Sequence, residues 1–159
     1  MTVSPVPIVI PYTVIPCHPT SAFPDQKIVS RPQVPTFLEC GGKRLEIFFP
    51  SVIDSGADYC MFPAQFGEMI GIPIREGKEQ ATRGIGHDTA YFHFVKVFAV
   101  VGKTRYYFNC YAGFMYSLDA IGMGLLGRHG FFELFEAVTF KQNLQIVELV
   151  PKSRPTAKD

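Results

Sequence analysis

The run Ser51-Val52-Ile53-Asp54-Ser55-Gly56-Ala57-Asp58 places a carboxylate where a short apolar strand must turn. Val52 and Ile53 drive the strand into a core, Ser55 is small and bonds locally, and Gly56 permits close backbone approach. A carboxylate fixed at the end of a buried strand is rigidly held and partly desolvated, which suits acid–base work. One carboxylate cannot be acid and base at once. Two copies related by a two-fold axis would solve this by bringing their Asp54 residues together. Like charges at close range cannot both ionise, so the pair would share one proton.

Other arrangements are weaker. Gly122-Met123-Gly124-Leu125-Leu126-Gly127 matches the dinucleotide fingerprint Gly-x-Gly-x-x-Gly. That pattern needs a βαβ unit and a long helix after it, and here Arg128-His129-Gly130 follows among strands. His18, His87, His93 and His129 have no metal-ligand spacing. No cofactor is expected. The cysteines Cys17, Cys40, Cys60 and Cys110 make no Cys-x-x-Cys pair. Cys60 and Cys110 read first as core residues. A Cys60 nucleophile served by a histidine is a rival hydrolase chemistry.

These residues need elements to position them. Residues 1 to about 35 hold eight of the thirteen prolines, so this stretch reads as an extended arm or edge strand and not a central one. Val34–Cys40 and Arg44–Phe49 flank Gly41-Gly42-Lys43, a hairpin signal. Ala64–Ile70 is the best helix candidate, stopped by Gly71 and Pro73. Ala90–Val101 and Thr104–Phe114 form a second hairpin around Gly102-Lys103. Gly124–Gly127 reads as a short buried strand, Phe131–Phe135 as a helical turn, and Ala137–Phe140 and Leu144–Val150 as final strands. The domain reading is a proline-rich arm over 1–33, a catalytic domain over 34–150 and a polar tail over 151–159. The fold class is all-β, a small closed barrel or sandwich with one or two short helices.

Composition narrows the function. The chain has 159 residues, 47% of them hydrophobic and 18% charged, which suits one folded domain with a sizeable core. Net charge is +1 with scattered basic residues, so no nucleic-acid partner is expected. No apolar run approaches the roughly 20 residues of a spanning helix, so no membrane partner is expected either. The proline-cut N-terminus lacks a basic lead, which argues against an export signal; a cytoplasmic protein with reduced thiols is the expectation.

The motifs together resemble those of retropepsin-like aspartic proteases, and in particular the stand-alone retropepsin-like domains of prokaryotes. Val52-Ile53-Asp54-Ser55-Gly56-Ala57-Asp58 looks like that family's active-site signature. Leu125-Leu126-Gly127-Arg128 looks like its second signature, and Thr82-Arg83-Gly84-Ile85-Gly86 resembles its flap tip. Asp-Ser/Thr-Gly occurs once in the chain, so the resemblance implies a homodimer with the barrel of that family. It implies Asp54 as the catalytic group and Ser55 as a brace between the two loops. Gly56 and Ala57 would present backbone to a peptide or protein substrate. Asp58 would bind substrate main chain and pair with Arg128, and Gly84, Ile85 and Gly86 would be the flap closing over it. Leu144–Val150 could add to a dimer sheet. Three departures stand out: Ser55 replaces a more usual threonine, His129 follows Arg128, and His87 follows the flap glycines. A peptide-binding or assembly module without catalysis is the alternative on the same fold.

Overall fold

A computed structural model describes residues 5–84 and 86–152. In chain order the strands are β1 (Ile8–Pro11), β2 (Thr13–Pro16), β3 (Ile28–Arg31), β4 (Gln33–Cys40), β5 (Lys43–Arg44), β6 (Phe49–Ile53) and β7 (Met61–Pro63). Helix α1 (Ala64–Met69) follows, then β8 (Lys78–Gly84), β9 (Gly86–Val101), β10 (Thr104–Met115), β11 (Gly124–Leu126), β12 (Phe135–Lys141) and β13 (Ile146–Pro151). They fall into two compact units, one of Val34–Leu134 and one of Met1–Gln33 with Phe135–Asp159.

The Val34–Leu134 unit is a closed barrel. Its strands run in the order β4-β6-β11-β7-β10-β9, and β4 pairs back onto β9 to close six strands without a free edge between them. Pro35 lies within β4, but the β4–β9 ladder starts one residue later, at Thr36↔Ala99, so the missing proline donor is not needed there. Gly41 and Gly42 both take positive φ, +56° and +78°, the geometry of a tight two-residue hairpin turn. The expected partner strand over Arg44–Phe49 is broken: β5 lasts two residues, and Ile47 and Phe48 are exposed. Leu45 N–H still bonds Leu38 O at 2.8 Å, after which the chain leaves the hairpin to become β6.

Phenylalanine fills the barrel. Phe62, Phe114 and Phe131 are fully buried with Leu38, Ile53, Leu126, Val95 and Val97. Phe49 stacks on Phe66 of α1 at 4.4 Å and meets Phe62 edge-on at 5.7 Å. Helix α1 sits where sequence placed it and stops at Gly71, whose φ of +81° suits glycine. The long hairpin of β9 and β10 turns at Gly102 as expected. It reaches further back than expected, because β9 also pairs with β8. Strand β8, KEQATRG, is polar on both faces, as an outermost strand of a sheet can be, and so gave no periodic signal.

In the other unit, β13 lies between β1 and β12, while β2 pairs with β3. Strand β1 has one paired edge, which its prolines allow. The expectation that Leu144–Val150 joins a dimer sheet needs correction. Both hydrogen-bonding edges of β13 are taken within the chain, so it has none to offer a second copy. Residues 142–144 form a helical turn instead of strand, and Gln145 takes a left-handed φ of 54° before β13 begins.

Candidate active site

Asp54 follows directly on β6, where β6 and β7 flank β11. Strand β11 pairs in parallel with β6 (Leu126↔Ile53) and antiparallel with β7 (Leu125↔Met61). The Asp54–Cys60 loop therefore crosses over the end of β11. Asp54 N–H extends the ladder by donating to Leu126 O at 3.1 Å. Its half-buried side chain accepts Gly56 N–H at Oδ1 over 2.9 Å. Backbone and carboxylate are thus both fixed, while Ser55, Gly56 and Asp58 are exposed and Ala57 is half-buried.

The residues after β11 are laced to this loop. Arg128 N–H donates to Ala57 O and His129 N–H to Asp58 O, each at 2.9 Å. Arg128 Nη2 bonds Asp58 Oδ1. Chain segments about seventy residues apart in sequence are brought side by side by this pairing. The His129 ring stacks on Tyr59 at 5.3 Å and its Nδ1 lies 3.3 Å from Glu133 Oε1.

The Asp58–Arg128 side chains are 60% and 58% exposed, so water screens the pair and its contribution to folding is small. Arg128→Ala should change unfolding free energy by less than about 1 kcal/mol. Chemical denaturation checks this; a loss of several kcal/mol would make the pair a structural element of the barrel.

Gly127 is where packing is tightest. A Cβ there would overlap the Tyr59 carbonyl group and come within 2.9 Å of Ala57 O. Beneath it lies Cys60, with 0% exposure. Its Sγ accepts Gly127 N–H at 3.4 Å and faces His129 O at 3.6 Å. Among the described residues no imidazole bonds this thiol, so the pairing a cysteine nucleophile requires is not formed there. This sulfur brace was not visible in the sequence, where Cys60 looks like any core cysteine.

The β8–β9 hairpin pairs Arg83 with His87 and Gly84 with Gly86. Ile85, named as part of the flap, lies outside the described residues. Among the described residues, no three of His, Cys, Asp and Glu come together as metal ligands would, and no helix is long and apolar enough to cross a membrane.

No family model matches the chain, and no curated protein matches it. Among solved structures it is similar to a retropepsin-like aspartic protease from Rickettsia conorii. The TM-score is 0.51 at 15% identity, over 91% of this chain and 96% of that one. The chain thus has a closed, mostly β barrel of the kind found in a retropepsin-like aspartic protease.

Proposed function

We propose that this protein is an aspartic endopeptidase whose site forms when two chains pair, each supplying Asp54. The observation that carries the proposal is the placing of Asp54. A carboxylate ends a buried strand, its backbone is pinned to Leu126 O, its Oδ1 takes Gly56 N–H, and its flanking residues are open to solvent. A barrel shared with a known aspartic protease adds support.

In this reading Asp54 and the partner's Asp54 share one proton, because two carboxylates in contact cannot both be charged. The ionised one draws a proton from water, and that water attacks the peptide carbonyl carbon. The protonated one donates to the carbonyl oxygen. As the tetrahedral intermediate collapses, the C–N bond breaks and a proton passes to the leaving amine. Arg128 holds Asp58 beside the loop, where its second carboxylate oxygen can meet substrate N–H groups. The β8–β9 hairpin lies over an extended peptide.

A site split between chains makes activity depend on concentration. Specific peptidase activity should fall as the protein is diluted through its dimer dissociation constant, tracking the dimer fraction seen by analytical ultracentrifugation. A constant specific activity for a demonstrated monomer would defeat the two-chain site. A well-folded dimer inactive from acid to neutral pH would favour the peptide-binding module.

A further inference from the structure

Cys60 does more than fill space under the catalytic loop. Its sulfur is the acceptor for Gly127 N–H and lies against His129 O, so it touches both sides of Arg128. Leu126, immediately before that turn, supplies the carbonyl that pins Asp54. Another cysteine of the barrel reaches the same turn from β10. Cys110 is half-buried, and its Cβ lies 3.3 Å from where a Cβ on Gly130 would stand. Strands β7 and β10 run side by side here, with Gly113 N–H bonded to Cys60 O at 2.9 Å. Two thiols therefore converge on Gly127–Gly130, one sealed and one reachable.

We infer that Cys60 is a positioning residue for the Asp54 loop, and that oxidation of Cys60 and Cys110 to a disulfide by a peroxide switches the site off. The inference rests on the protease reading above for what the switch controls. It does not rest on it for the chemistry of the two thiols.

The thiol pair is already polarised. A hydrogen bond with the Cys110 thiol holds Cys60 below the ordinary cysteine range, against the opposite pull of its burial. The same contact, with burial, pushes Cys110 up. Cys110 is the thiol that peroxide can reach, and Cys60 is the better nucleophile to resolve it. The Cys110 sulfur takes one peroxide oxygen, the O–O bond breaks, and hydroxide leaves as water with the thiol proton. Cys60 sulfur next attacks the Cys110 sulfenic acid. The S–S bond forms, the S–O bond breaks, and a second water departs. Two thiols and one peroxide yield one disulfide and two waters. In the product Cys60 has no proton to offer His129 O, and its sulfur is drawn toward β10 and away from Gly127 N–H. The turn that carries Arg128 and follows Leu126 loses its support. A displacement of about 1 Å at a catalytic group costs on the order of 100-fold in rate.

The test treats the full-length protein with hydrogen peroxide and reads three quantities. Peptide mapping should find Cys60 joined to Cys110, with the mass of two hydrogen atoms lost. Peptidase kcat should fall on the order of 100-fold and return with dithiothreitol, while Cys110→Ser keeps its activity and resists the treatment. Hydrogen exchange at Gly127 N–H should quicken in the oxidised protein. It should quicken likewise in Cys60→Ala and return toward the original rate in Cys60→Ser, whose hydroxyl can still accept. Absence of a Cys60–Cys110 peptide would overturn the inference. So would a crosslink that leaves both kcat and Gly127 exchange unchanged. If the untreated protein cleaves no peptide, the protease reading fails by itself, and Gly127 exchange alone then decides whether the thiols control the turn.

Discussion

Asp54→Asn should lower kcat for peptide hydrolysis by on the order of 10³-fold or more, while the fold and the proposed dimer persist. The substitution suits the question because asparagine keeps the shape and one oxygen of the side chain. That oxygen can go on accepting Gly56 N–H, and Asp54 N–H can go on donating to Leu126 O. Unfolding free energy should therefore move by no more than about 1 kcal/mol. In the proposed two-chain site, the amide can neither take a proton from water nor share one with the partner's Asp54. Steady-state kinetics, sedimentation and denaturation on the same preparation separate these effects. Retained hydrolysis in Asp54→Asn would remove Asp54 from the chemistry. Lost hydrolysis accompanied by unfolding would show that the carboxylate serves the loop's structure.

The second large effect concerns stability. Gly127→Ala should destabilise the protein by about 3 kcal/mol. The added methyl would collide with the Tyr59 carbonyl and Ala57 O, and neither can yield cheaply. Ala57 O accepts Arg128 N–H, and Tyr59 forms a bridge with His129. Moving them unzips the lacing of the site. Gly122→Ala is the useful contrast. Gly122 has a φ of +64° but nothing within 4 Å of a new Cβ, so only conformational strain opposes it, about 1 kcal/mol. Denaturation midpoints of the two variants should differ clearly. Equal losses would mean that close approach at Gly127 matters no more than backbone conformation does elsewhere.

Much of the barrel could be read from the sequence because its signals are local. Glycine pairs, alternating Phe, Tyr and Val, and the Gly71–Pro73 stop located the hairpins and α1 to within a few residues. Strand β8 was missed since a strand with polar residues on both faces has no period to detect. The break at Ile47 and Phe48 was missed for the opposite reason, as apolar residues there continue a strand pattern while the chain is already crossing to β6. At the candidate site, the strand end and turn that carry Asp54 were legible from an apolar lead-in and small residues. The role of Cys60 was not, because a sulfur accepting a backbone N–H sixty-seven positions away follows from how β7 and β11 pair. The place of β13 was equally hidden. Residues 144–150 look the same to sequence reasoning whether one edge or two will be occupied.

The pairing of Ile8 with Leu149 and Pro11 with Ile146 has a consequence for the order of assembly. A ribosome releases the chain from its N-terminal side, so β1 emerges well before its partner β13. The contiguous stretch from Val34 to Leu134 can collapse while β1 still waits, its Ile8-Val9-Ile10 side chains unsheltered. During that interval the surrounding prolines, which supply no N–H groups, make this stretch a poor template for pairing with stray strands. Release of β13 then lets β1 pair along its edge. Trimming the first eleven residues would leave β13 with a bare edge and turn a protected intermediate into a sticky product.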